Sequence, residues 1–356
     1  MVVYIEIFLL SSLSLMIAYQ QPFRSILKYF IFFLLLIFVG LRHQVGADWD
    51  NYKRIYEFIS QNGIDALFIT DPGYSLINLV SNYLGGDIFL VNLISGFIFL
   101  IGLFYFIGKL PYPSLTIAIA NSYLVFIVAM GYTRQSIAIG ILMTSYALYI
   151  NKKYIASLIL SFIAVFFHKT ALFGMFVVAF SIVLSYKNQL NLKYYFALLI
   201  ISIGIISISY LFLFKPYQEY FITTYIFGGM ESKGAYPRLL LNAIAGFLAI
   251  SDFIKEPKNK DVIIFKTMSF FSLFFIFLVP IFGSTTIDRL SLYLYPLQFY
   301  AYSFFVYNIK NKSSKFFFYY TIMCLYLLIL VVWLLFAVHR EAWIPYKNIL
   351  LEALMY

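Results

Sequence analysis

The sequence predicts an all-α fold, a polytopic transmembrane helical bundle of about twelve spans. Three observations carry this. Of the 356 residues, 63% are apolar and only 11% charged, and the mean hydropathy is +0.90. Runs almost free of charge, long enough to cross a hydrocarbon core about 30 Å thick, recur from end to end. The basic residues are also sorted by side: twelve of the eighteen lysines fall in one set of interhelical loops, six of the seven arginines in the other.

Taken in order, the spans fall near 3–19, 27–41, 88–107, 112–130, 134–150, 154–168, 170–186, 193–213, 238–254, 262–281, 289–308 and 316–338. The run 2–18 lacks a basic flank and a small-residue cleavage site, so it reads as a retained span and not a signal peptide. One set of loops holds Arg24 and Lys28; Lys109; Lys152 and Lys153; Lys187 and Lys193; Lys255, Lys258 and Lys260; and Lys310, Lys312 and Lys315. The positive-inside rule makes that face cytoplasmic, and an even number of spans places both termini outside. These loops account for the net charge of +10 without a nucleic acid partner. Cys324, inside a late apolar run, stands alone and excludes an internal disulfide. Residues 1–356 read as a single transmembrane domain with no internal repeat.

The outward segments are longer: 42–87, 214–237 and the C-terminal tail 339–356. The first is acidic, with Asp48, Asp50, Glu57, Asp65, Asp71 and Asp87. Within it, 72–84 reads as an amphipathic helix with Leu76, Leu79, Val80 and Tyr83 on one face, suited to lie in the interface or re-enter beside the bundle. In the second, Gly228, Gly229 and Gly234 interleave with Tyr217, Tyr220, Tyr225 and Tyr236, a composition that suits a sugar-facing lid or an ordinary outer loop. The tail sets Trp343 and Tyr346 at headgroup depth.

Arg42, Arg134, Arg238, Arg289 and Arg340 border spans at similar depth on the outward side, and Arg54 lies in the first outer segment. Lysine alone would serve topology. Guanidinium forks gathered on the opposite face suit a diphosphate, whose oxygens they grip with paired charge-assisted bonds. Arg134, Arg238 and Arg289 also fall near helix N-termini, where free N–H groups favour an anion. The bland reading is snorkelling to headgroups or pairing with nearby acids.

The densest polar stretch is Val39–Tyr56. In it, Asp48 and Tyr52 are four apart, as are Asp50 and Arg54, and a local salt bridge explains the second pair. No such salt-bridge partner stands within a helical turn of Asp48 in the sequence, which makes it the better candidate for a catalytic carboxylate. His168, at an outer helix end, is a candidate base near neutral pH. Gln135 extends the polar cluster toward a sugar hydroxyl, with Tyr52 and Tyr346 beside it. Asp288 and Glu341 are acids adjacent to Arg289 and Arg340, and Glu341 is a second candidate base. His43, His168 and His339 match no metal-ligand spacing, so neither a metal nor another cofactor is expected.

Several short motifs then point to a family. Leu41-Arg42 through Val45-Gly46-Ala47-Asp48 and Tyr52, Asp71-Pro72-Gly73-Tyr74, Arg134-Gln135-Ser136-Ile137-Ala138, Phe167-His168-Lys169-Thr170-Ala171, Asp288-Arg289 and Trp343-Ile344-Pro345-Tyr346 follow one another across nearly the whole chain. In this pattern the sequence resembles the EpsG/Wzy class of bacterial polysaccharide polymerases. Lys169 departs from it, standing where a small polar residue is more usual.

The resemblance implies a lipid-sugar glycosyltransferase of GT-C-like class in the bacterial inner membrane, with its site on the extracytoplasmic side. It would join undecaprenyl-diphosphate-linked oligosaccharide units, donor to acceptor, amid membrane lipids and with a chain-length regulator as a further partner. In those terms His168, Asp48, Arg134 and Arg289 are catalytic candidates. Arg42, Arg238, Arg340, Gln135, Tyr52, Asp288, Glu341 and Tyr346 are substrate-binding candidates. Three rivals stand beside it: a ligase with the same donor and another acceptor, an outer-face O-acyltransferase, and a lipid-linked oligosaccharide flippase. The flippase requires charge through the bundle, and the mid-span ionisable groups are Glu6, near a terminus, and Lys266, close to the inner face.

Overall fold

The computed structural model describes residues 1–17, 23–186, 200, 203–204, 207, 210–211, 215, 218–223, 231–255 and 262–353. Most of the expected span at 193–213 lies outside them, as do Lys187, Lys193, Lys258, Lys260, Tyr217, Tyr225, Gly228 and Gly229.

In chain order the helices are α1 (Val2–Ile17), α2 (Phe23–Gly40), α3 (Trp49–Asn62), α4 (Pro72–Tyr83), α5 (Ile88–Ile107) and α6 (Pro113–Gly131). There follow α7 (Thr133–Ile150), α8 (Tyr154–Phe167), α9 (Leu172–Tyr186), α10 (Ala235–Ile250), α11 (Ile263–Phe282) and α12 (Ser284–Ser291). The last are α13 (Pro296–Asn308), α14 (Lys312–Phe336) and α15 (Ile349–Ala353). Among the described residues, five helical stretches are long and apolar enough to cross a membrane: Ile88–Ile107, Pro113–Gly131, Lys169–Tyr186, Ile263–Phe282 and Lys312–Phe336. Shorter apolar helices lie at Val2–Ser14, Ser25–Gly40, Tyr154–Phe167 and Ala235–Ile250. The chain is an all-α, multi-pass membrane protein.

Local chemistry sets the helix ends. Asp87 starts α5 by accepting from the N–H of Phe89 at 2.8 Å, and Asn311 starts α14 by accepting from Ser313 at 2.8 Å. The expected span 289–308 is broken: α12 gives way to a tight turn at Leu292–Leu294 before α13. Pro296 has no N–H to offer the preceding turn, which accounts for the break. Within α6, residues Asn121–Val128 wind as a π-helix, a geometry found mostly at functional sites.

The described helices pack into two compact units, residues Met1–Gly140 with Lys310–Tyr356, and residues Ile141–Ile309. In the first, α2 packs on α5, α1 and α14 pack on α6, and α4 lies against α3 and α5. Gly102 of α5 faces the backbone of Gly140, which itself faces Phe99, so a side chain at either glycine would push these segments apart. In the second, α10 packs on α11, α12 and α13, and α9 packs on α8 and α11.

Helix α4 forms where its periodicity predicts, and its faces are assigned in an instructive way. Tyr74, Ser75, Ile77, Asn78 and Ser81 are buried, while Leu76, Val80 and Tyr83 are exposed. The apolar stripe faces away from the protein, as suits a helix whose outer surroundings are lipid.

The tail is not a loose interfacial strip. Trp343 is 1% exposed, and its indole N–H donates to the Phe126 carbonyl of the π-helix at 2.8 Å. Tyr346 stacks on Phe38 at 4.2 Å and donates to the Phe38 carbonyl at 2.8 Å. Arg42 and Asn348 form an antiparallel bridge, His43 Nδ1 meets Glu352 Oε2 at 2.6 Å, and Ala342 accepts from the Gly46 N–H at 2.7 Å. Trp343, expected at headgroup depth, has its ring buried within the first unit beside Gly131.

Candidate active site

In the first unit the polar chemistry gathers where α2, α3, α4 and α7 begin or end. Arg42 follows the end of α2 and is 1% exposed. Its Nη1 donates to the Val39 carbonyl at 2.7 Å and its Nε to the Val45 carbonyl at 3.2 Å. Nη2 donates to Asn92 Oδ1 and Thr133 Oγ1, both at 2.9 Å. Every one of these partners is neutral, and the Trp49 ring lies 5.9 Å away. Burial pushes the guanidinium down to about 10, which leaves it charged at neutral pH. Arg42 thus puts a buried positive charge on neutral hydrogen-bond partners beside Thr133, with no salt bridge to it among the described residues. Gly46 makes the turn that follows, at φ 108°, a conformation suited to glycine.

Arg134, second residue of α7, is held from one side. Its Nη1 donates to Asp71 Oδ2 at 2.8 Å and to Thr70 Oγ1 at 2.5 Å. Asp71 precedes Pro72 at the start of α4, the position of a capping residue, yet its side chain makes no cap bond and turns to Arg134 instead. The Arg134 Nε is buried with no hydrogen-bond partner, and the Tyr52 ring lies 6.0 Å from the guanidinium carbon. Tyr52 and Tyr74 pack with centroids 5.4 Å apart. Burial raises both phenols, and they remain neutral donors through the physiological range. The Tyr74 hydroxyl, Ser75 Oγ, Asn78 Oδ1 and Asn92 Nδ2 are buried without hydrogen-bond partners in the protein. Buried polar atoms left open in this way call for water or a hydroxylated ligand.

Asp48 is half-buried immediately before α3, and its charge is among those that raise the Tyr52 phenol. Gln135 is 1% exposed beside Arg134. The suspected Asp50–Arg54 pair does not form; both side chains are exposed, and the pair on α3 is Lys53 with Glu57 at 3.8 Å. Arg340 and Glu341 are exposed on a short turn.

In the second unit Arg238 is neutralised. Its Nε donates to Asp288 Oδ1 at 2.7 Å, its Nη2 to Asp288 Oδ2, and Ser232 Oγ donates to the same carboxylate at 2.8 Å. The acid that the sequence set beside Arg289 is thus the partner of Arg238. Arg289 itself is half-exposed on α12.

His168 links α8 to α9. Its Nδ1 accepts from the Thr170 N–H at 3.3 Å and meets Thr170 Oγ1 at 2.8 Å, which meets the Tyr293 hydroxyl at 2.8 Å. Because an amide N–H can only donate, Nδ1 is the lone-pair nitrogen, and the neutral ring carries its proton on Nε2. Among the described residues, no group of three or more His, Cys, Asp or Glu side chains is placed to hold a metal ion.

Sequence reasoning did not select Asp71, Thr70, Tyr74, Asn78, Asn92 or Ser232. Asp71-Pro72-Gly73-Tyr74 was a visible signal, since an acid before an N1 proline has a short list of roles.

The EpsG family model matches residues 25–348. The chain belongs to the EpsG family. Membership places it among membrane polymerases and transferases that act on lipid-linked glycans. Comparison with curated proteins and with solved structures gives no match. The residues of this EpsG-family chain therefore take their roles from their own geometry.

Proposed function

We propose that this chain is a polymerase that joins undecaprenyl-diphosphate-linked oligosaccharide units at the outer face of the inner membrane. The observation that carries the reading is Arg134: a guanidinium at a helix N-terminus, fixed through Nη1 by Asp71 and Thr70, one quarter exposed, with its Nε open. Such a group is preorganised for an anion. Arg42, hydrogen-bonded to the neighbouring Thr133, adds positive charge on neutral partners. Tyr52, Gln135, Asn78 and Asn92 bring polar atoms suited to sugar hydroxyls.

The reaction is a single displacement. A hydroxyl oxygen of the acceptor glycan attacks the donor's anomeric carbon. The bond from that carbon to the diphosphate oxygen breaks, and its electron pair stays on the diphosphate. Arg134, with Arg42 beside it and Arg340 as a further contact, stabilises that charge. Asp48 takes the hydroxyl proton. The configuration inverts, since no side chain intervenes as nucleophile.

Incubating purified protein with lipid-linked repeat units alone tests the assignment. A polymer ladder with release of undecaprenyl diphosphate supports it. A requirement for a second, chemically different acceptor identifies a ligase instead, and retained anomeric configuration removes the single displacement.

A further inference from the structure

Helix α4 is tied at both ends to the starts of other helices of its unit. At its N-terminus Asp71 holds Arg134, the second residue of α7, at 2.8 Å. At its C-terminal end the Ser81 hydroxyl donates to the Asp87 carbonyl just before α5, and the Ser81 carbonyl accepts from the Gly86 N–H, both at 2.8 Å. Between these ties α4 packs on α5. That helix is long and apolar enough to span the membrane, and Phe97, Ile101 and Tyr105 are exposed along it. Helix α4 is therefore set against a span, in the segment that the charge pattern assigns to the outward side.

The polarity of α4 is the reverse of that of a helix on a watery surface. Ser75, Asn78 and Ser81 are buried, whereas Leu76, Val80 and Tyr83 are exposed. Spacings of four and three put those three side chains on one stripe. Residues 72–86 hold no Asp, Glu, Lys, Arg or His, and the turn before them exposes Ile64, Phe68 and Ile69 as well. Water favours the opposite arrangement, with leucine and valine inside and serine and asparagine out. A patch that faces a protein partner carries a polar rim. Here the exposed polar side chains, Asn82 and the Tyr83 phenol, gather in the last turn, the end nearest the start of α5. Polar atoms at one end and bare apolar surface behind them match headgroups above hydrocarbon.

We infer that α4 is a re-entrant helix whose stripe of Leu76, Val80 and Tyr83 contacts the acyl chains of the outward leaflet. Its opposite face then forms the lipid-side wall of the polar cluster, where Tyr74 packs on Tyr52 and Asp71 fixes Arg134. The inference goes beyond the glycan-transfer reading and does not rest on it.

The test is spin labelling of the full chain in nanodiscs of phosphatidylethanolamine and phosphatidylglycerol. In a Cys324→Ser background, nitroxides are attached in turn through Leu76→Cys and Val80→Cys, with Phe97→Cys on α5 and Glu57→Cys on α3 as references. Collision with oxygen, which concentrates in hydrocarbon, is compared with collision with a water-soluble nickel chelate. The oxygen-to-nickel ratio at positions 76 and 80 should match that at 97 and exceed that at 57 at least fivefold. A ratio equal to that at 57 would put the stripe in water and overturn the inference. Little collision with either reagent would mean that protein covers the stripe, a second copy or another chain, and would overturn it as well. Each labelled position on α4 carries the result alone, so a variant that fails to fold leaves the other to decide.

Discussion

Replacing Asp71 and Arg134 singly and together separates what their pair does for folding from what Arg134 does for chemistry. The two groups lie 2.8 Å apart, with side-chain exposures of 3% for Asp71 and 25% for Arg134. Arg134→Gln strands a carboxylate that water barely reaches, and the low end of the range for broken buried pairs, about 3 kcal/mol, applies. Asp71→Asn leaves a guanidinium that still touches solvent, so the loss is smaller, about 1–2 kcal/mol. In the double variant Asp71→Asn/Arg134→Gln two neutral amides face each other, and most of the stability returns. Activity should behave differently. If Arg134 stabilises the departing diphosphate, the double variant remains slower by about 10²–10³-fold, the scale of one lost electrostatic donor. Thermal unfolding in detergent reads the first quantity, and polymer yield from lipid-linked repeats reads the second. A double variant that recovers both stability and polymer formation to within a few-fold would show that Arg134 serves only the fold.

Other outcomes follow from the same geometry. Asp48→Asn should abolish polymer formation and leave binding of the lipid-linked substrate in place; normal polymer yield in that variant, with loss of yield in His168→Asn, would return the base to His168. Trp343→Ala removes a buried ring and the donor to Phe126, and should cost about 3–5 kcal/mol in unfolding measurements; a loss below about 1 kcal/mol would mean that the tail does not support α6. The phenols of Tyr52, Tyr74 and Tyr346 are raised by burial, so above about pH 10 the unfolded chain gives up protons that the folded chain keeps, and stability falls with rising pH. Arg42, pushed down to about 10, works in the opposite direction, but one such group stands against three. Ultraviolet titration should therefore show these tyrosines ionising together with unfolding and not before it.

Much of the helical architecture was legible because hydropathy reports a property each residue carries locally. The helices at Ile88–Ile107, Ile263–Phe282 and Lys312–Phe336 lie where apolar runs place them. The amphipathic stripe of α4 was legible too, although the period says nothing about which face meets protein. The unread part is long-range pairing. In the sequence Asp71 is one acid among several in the first outer segment, and only the folded chain brings it to Arg134, 63 positions away. Asp288 reads as the neighbour of Arg289, yet its oxygens meet Arg238, 50 positions away. Trp343 and Tyr346 have interfacial chemistry, which says nothing of the indole-sized space beside Gly131 that Trp343 fills, where a side-chain carbon would come within 2.5 Å of the ring. For His168 the residue type suggested a base, while a single amide N–H two residues on decides which ring nitrogen carries the proton.

The guanidinium grip on a diphosphate is tested most directly by native mass spectrometry of the purified protein with undecaprenyl diphosphate and undecaprenyl monophosphate. The account predicts saturable, preferential binding of the diphosphate, weakened at least tenfold in Asp71→Asn/Arg134→Gln, whose fold the paired substitution preserves. Equal affinity for the two lipids, or diphosphate binding indifferent to that replacement, would contradict it.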